Sequence, residues 1–147
     1  LYVDVLVGAH TRRWLACWLA CYSHAPDRRA WTRTQVDVQG LEASVLRGAA
    51  ETLASGRVGF LEFEFHEFGP WRDEQLEDVI DRLDGFDYDC YWAGQRRLFP
   101  ITGCWDASYA AHGPCSPSVY AMRPDATERA TAVAAYTLAP AGEEKST

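Results

Sequence analysis

The segment that most constrains this chain runs from Thr34 to Ala49. A short run, Thr34-Gln35-Val36-Asp37-Val38, reaches an acid, turns at Gln39-Gly40 and opens at once into an amphipathic helix. Strand, glycine turn and helix in that order form half of a wound α/β unit. In such domains ligands collect at the carboxyl ends of parallel strands. Asp37 and Gln39 are therefore expected at a binding end.

The remaining periodicities extend the same pattern. Tyr2 to Val7 reads as a buried strand stopped by Gly8, and Thr11 to Tyr22 as a helix with Trp14, Leu15, Trp18 and Leu19 on one face. Leu41 to Leu53 reads as a helix, with Leu46, Ala49, Ala50 and Leu53 at i, i+3, i+4 and i+7. Val58 to Phe65 is a third strand. Arg72 to Leu83 is a helix whose Leu76, Val79, Ile80 and Leu83 share a face, and its acids read as the solvated side. Asp87–Trp92, Leu98–Thr102 and Ser118–Arg123 complete the strands. Beyond Pro124 the composition predicts a weak helix and then a disordered tail. The division expected is one domain over 1–124 and a weakly structured 125–147. Strands alternating with helices, followed by a strand-rich end, predict an α/β three-layer sandwich.

Composition narrows the partners. A formal charge of −7 argues against nucleic acid and anionic membrane surfaces. The apolar run from Trp14 to Tyr22, behind Arg12-Arg13, is too short to span a bilayer. It has the outline of a signal-peptide core, but Asp4 and the strand before it favour a helix packed on a sheet. Five cysteines form no CxxC pair. Cys17 and Cys21, one helical turn apart, read as buried thiols before metal ligands. A reducing, cytoplasmic compartment is the default expectation. Residue 1 is Leu and the only methionine is Met122, so the sequence reads as a fragment or mature piece.

Taken together, Asp37-Val38-Gln39-Gly40, the strand Val58-Gly59-Phe60-Leu61-Glu62-Phe63-Glu64-Phe65-His66 and the segment Arg97 to Asp106 are in order and spacing similar to the FkbM-type S-adenosylmethionine-dependent methyltransferases. Gln39 stands where that family more often has Glu. The resemblance covers Thr34 to Arg123. It implies a Rossmann-like class I methyltransferase fold: a mostly parallel sheet with an antiparallel strand near the C-terminus, for which Ser118–Arg123 is the candidate. It also implies S-adenosylmethionine as cofactor and methyl transfer to an oxygen of a glycan or small-molecule acceptor. Asp4, Gly8, Asp37 and Gln39 are the implied cofactor-binding positions. Asp37, Glu64 and His66 are the implied catalytic ones.

The N-terminal third departs from that pattern. Relatives carry Asp-x-Gly-Ala-Asn at the end of the first strand. Here Leu6-Val7 intervene before Gly8, His10 replaces Asn, and Arg12-Arg13 stand where a second glycine belongs. Two strand–helix units, one bearing the acid that holds the cofactor ribose, are missing before Asp37. The fold expected is therefore a truncated one, with its first strand at an edge. An inactive remnant, or a binding module needing a partner chain to complete its sheet, is the alternative function.

Residue chemistry offers competing roles. Asp37 either orients an acceptor hydroxyl and takes its proton, or caps the helix that follows. Glu62, Glu64 and His66 alternate and share one strand face. That invites a second alternative, a metal-binding protein, although ligands about 7 Å apart on one strand are too far apart for a single ion unaided. Trp71, Trp92 and Trp105 are either walls of an acceptor pocket or core.

Overall fold

A computed structural model of the chain describes residues 2–6, 31–66, 69–107, 109 and 117–138. Among these residues the strands are β1 (Tyr2–Leu6), β2 (Trp31–Asp37), β3 (Val58–Glu64), β4 (Asp89–Ala93), β5 (Arg97–Pro100), β6 (Ser118–Met122) and β7 (Thr137–Leu138). The helices are α1 (Glu42–Gly48), α2 (Ala50–Ala54), α3 (Leu76–Asp84) and α4 (Thr127–Ala135), with a 3-10 turn at Gly69–Arg72. The expected helix over Thr11–Tyr22 and the position of Gly8 lie outside the described residues.

All seven strands form one open sheet in the order β1-β2-β3-β6-β4-β5-β7. β1, β2 and β3 run parallel. β6 enters antiparallel between β3 and β4, and β5 lies antiparallel to β4. The expected C-terminal antiparallel strand is thus present. The sheet as a whole is mixed, however, where a mostly parallel one was expected. β5 returns from β4 across the tight turn at Gly94, whose N–H bonds the Arg97 carbonyl at 2.8 Å. So short a return cannot make a parallel crossover.

Alternation along the strands sorts the side chains. Val36, Leu61, Phe63, Cys90, Trp92, Val119 and Ala121 line one face and pack against Leu46, Leu53, Val79, Ile80 and Leu83 of α1, α2 and α3. Phe60, Tyr91, Leu98 and Met122 line the other face, where Ala132 and Tyr136 of the α4 segment cover them. Helices therefore flank both faces. Burying a side chain the size of Leu or Phe contributes roughly 1.5–3 kcal/mol, so the first face carries most of the apolar stabilisation.

Three local differences from the sequence reading have plain causes. The helix expected from Leu41 to Leu53 is two short helices that meet at Ala49 (φ −91°, ψ 4°), where the backbone leaves the helical region. The helix expected from Arg72 begins at Leu76, after the 3-10 turn, because Glu74 is drawn inward rather than solvated. Glu74 is 6% exposed and accepts from Arg82 Nη2 at 2.8 Å and from Arg47 Nη1. It ties α1 to α3. Residues 127–138 hold the helix expected beyond Pro124, here packed on the sheet as α4, and then β7, an unexpected strand that pairs with β5.

Tyr88 and Cys90 sit deep in the first face. The Tyr88 hydroxyl donates to the Val58 carbonyl at 2.6 Å, and burial raises its pKa. Burial pushes the Cys90 thiol from 9.0 up to about 12, with the Thr102 hydrogen bond opposing the rise. The folded state thus holds the protonated thiol while the unfolded chain loses that proton first. This contribution is complete below pH 9 and is lost as pH rises toward 12. The urea midpoint is expected to fall from pH 9 upward, and less steeply in Cys90→Ala. Iodoacetamide on the native protein should label half-buried Cys104 and spare Cys90 until denaturant is added, as read by peptide mass spectrometry.

Candidate functional site

The carboxyl ends of β2 and β3 lie side by side. The register pairs Gln35 with Glu62 and Val36 with Phe63, so Asp37 and Glu64 end neighbouring strands on the same face. Ser118 of β6 pairs with Glu64 from the other side. This end of the face is therefore polar: Gln35, Asp37, Glu62, Glu64 and Ser118 lie across three adjacent strands. The opposite face at the same level is aromatic, with Phe65 set edge-on to Trp71 (centroids 5.0 Å) and to Trp92 (6.1 Å).

The loop after β2 has a specific architecture. Gln39 (φ 51°) and Gly40 (φ 91°) both take positive φ, reversing the chain within two residues. The reversal is held by Glu42, whose side chain is fully buried. Its Oε1 accepts from the N–H of Val38 and of Gly40 at 3.1 Å each, and its Oε2 accepts from the indole Nε1–H of Trp71 at 3.0 Å. A buried carboxylate is tolerated only when its lone pairs are so occupied. It also sits in the first turn of α1, where the helix dipole favours negative charge.

That arrangement settles the capping question for Asp37. No side chain caps α1; Glu42 takes the amides of the turn instead. Asp37 is half-buried and its Oδ1 accepts from Gln39 Nε2 at 2.8 Å. The carboxylate and the amide form one polar unit beside the turn.

Glu64 and His66 also meet, with Nε2 and Oε2 2.9 Å apart. His66 lies two residues beyond Glu64, just past the end of β3, where the Phe65 N–H still bonds the Pro117 carbonyl at 2.9 Å. Glu62, on the same face as Glu64, is held by Arg33 across the strand pair at 3.1 Å. Among the described residues no group of three or more His, Cys, Asp or Glu side chains is placed to hold a metal ion. β1 brings Asp4 into register with Gln35, and Leu6 with Asp37. Asp4 therefore stands two residues, about 6.6 Å, back from the strand ends.

The tryptophans are core and not pocket walls. Trp71 is spent on Glu42, Trp92 is fully buried, and Trp105 packs against the core beside Tyr109 at 5.7 Å. Sequence reasoning missed Glu42 as the residue that shapes the loop. Its signal was present, an acid two residues after a glycine turn at a helix start, but burial is a property of the packed face and not of the spacing.

Replacing Glu42 by Ala leaves three donors unpartnered in a closed site, each costing about 1–3 kcal/mol. Glu42→Ala is expected to lose roughly 3 kcal/mol or more in urea unfolding. Glu42→Gln keeps one acceptor oxygen for the two amides but turns an N–H₂ toward Trp71, and should lose about half as much. Equal losses would contradict the bonding pattern described. Among the described residues no helix is long and apolar enough to cross a membrane. No protein-family model, curated protein or solved structure matches the chain.

Proposed function

We propose that this chain is an S-adenosylmethionine-dependent methyltransferase of FkbM type, acting on a hydroxyl of a glycan or small metabolite. The observation that carries the reading is topological. The first strand pairs directly with the Asp37 strand, and the late strand β6 enters antiparallel between β3 and β4. This is the arrangement the resemblance implies for a Rossmann-like, three-layer methyltransferase sheet that lacks two units.

The donor set at the end of β2 suits the cofactor's chemistry. S-adenosylmethionine is cationic at its sulfonium and ammonium groups. Gln39 gives its Nε2–H to Asp37, which leaves the amide carbonyl as its outward chemistry beside a carboxylate. An acid and a carbonyl together complement a cation. When bound, the cofactor supplies an electrophilic methyl group. Asp37 would align the acceptor hydroxyl for in-line attack. Glu64 would hold His66 through its Nε2–H, so that proton acceptance falls to Nδ1.

One observation favours a second reading, a non-catalytic module whose sheet is completed by a partner chain. Among the described residues β1 is an edge strand with Asp4 set back from the site. Ligand-linked stability separates the two. S-adenosylhomocysteine at about 100 times its dissociation constant should add about 2.7 kcal/mol to the folded state, and Asp37→Asn should remove that gain. A cooperative transition unmoved by either S-adenosylmethionine or S-adenosylhomocysteine would favour the non-catalytic module.

A further inference from the structure

A second concavity lies on the α4 side of the sheet, away from the Asp37 end. It has a volume of about 290 Å³ and is lined by Arg33, Phe60 and Tyr120 from the strands and by Thr131, Ala132 and Tyr136 from the α4 segment. Arg33 precedes Asp37 by four residues on β2, about 13 Å along the strand. The two places are therefore at different levels of one sheet face, with Glu62 between them. An apolar cavity of roughly 150 Å³ accepts benzene, so this one has room for a substituted single ring.

Its walls carry the rings of Phe60, Tyr120 and Tyr136, and its polar groups come from Arg33, Thr127, Thr131 and the two tyrosine hydroxyls. Phe60 and Tyr120 lie 5.2 Å apart at a 56° tilt, and Tyr120 meets Tyr136 edge-on at 6.1 Å. The hydroxyls of Tyr120 and Tyr136 approach each other at 3.4 Å, longer than the usual 2.7–2.8 Å of an O–H···O bond. Two hydroxyls in so slack a contact retain donor and acceptor capacity for a third oxygen. Burial, first, and the neighbouring Tyr136 hydroxyl raise the Tyr120 pKa, so the Tyr120 hydroxyl keeps its proton at physiological pH.

Charge decides the class of occupant. Arg33, seated over the Phe60 ring at 5.0 Å, is paired with Glu62 at 3.1 Å. An anionic ligand would find that cation compensated and a carboxylate close by. We propose that the pocket beneath α4 binds a small, uncharged phenol, its ring against Phe60 and Tyr120 and its hydroxyl between the Tyr120 and Tyr136 hydroxyls.

The test is fluorine NMR of the full chain with para-fluorophenol, para-fluorobenzoate and fluorobenzene as probes. Saturable binding of para-fluorophenol is expected with a dissociation constant on the order of 1 mM, as befits a ligand of so few atoms. The benzoate should bind about tenfold more weakly because of Glu62, and fluorobenzene several-fold more weakly for want of the hydroxyl. Tyr120→Phe with Tyr136→Phe should weaken the phenol to the level of fluorobenzene. Ala132→Leu should fill the space and abolish binding while cooperative unfolding persists. If that variant does not fold, the probe series and the Phe variants decide alone. Three results would each overturn the proposal: no saturable phenol binding up to about 10 mM, benzoate binding as tightly as the phenol, or a double Phe variant with unchanged affinity.

Discussion

One buried carboxylate organises the end of the sheet where β2 and β3 finish. Glu42 binds the two amides of the turn that follows β2 and the indole of the 3-10 segment that follows β3. It therefore joins two loops at the same end of the sheet that are 29 residues apart in sequence. The two positive-φ residues, the outward placement of Gln39 and the release of Asp37 from capping all follow from it. An uncompensated charge there would cost several kcal/mol, so the carboxylate and its three donors stand or fall as a unit. The loop geometry is thus a consequence of internal satisfaction and is in place without a ligand.

Much of the architecture was legible because it rests on period. The apolar spacing of Leu76, Val79, Ile80 and Leu83 lies on the buried side of α3, and the pleat alternation around Phe63 correctly separates Leu61 and Phe63 from Glu62 and Glu64. What could not be read was set by contacts distant in sequence. Glu74 belongs to a run of acids that looks solvated, yet two arginines, one from α1 and one from α3, draw it inside. Beyond Pro124 only a weak helix is expected, because the residues there carry little hydrophobicity. Ala132 and Tyr136 nevertheless suffice, because the sheet beneath them already presents Phe60 and Tyr120.

The placement of the candidate residues was legible in part. Asp37, Gln39, Glu64 and His66 do gather at one end of one face, as their places at strand termini implied. Their pairings were not legible. Asp37 with Gln39 depends on a reversed backbone, and Glu64 with His66 on side-chain rotamers that spacing does not fix. The tryptophans left two readings open because an aromatic residue near a loop looks alike whether it lines a cavity or closes a core. Only the partners of its ring and N–H separate the two.

The insertion of β6 has a consequence for how the molecule comes into being. β3 and β4 are consecutive strands, yet they never touch as neighbours; the gap between them is filled by residues 118–122. Until that stretch arrives, the sheet is two pieces: a parallel group ending at β3, and the β4–β5 hairpin connected to it through α3. β6 acts as the keystone, and its contacts with β3 are long-range in sequence. Such pairing pays its loop-closure entropy late and slows folding relative to a sheet wound in chain order. During synthesis the open sides of β3 and β4 are unpaired backbone edges for as long as it takes to make some thirty more residues. The interval between making β4 and making β6 is when this chain is most exposed to pairing with the wrong partner.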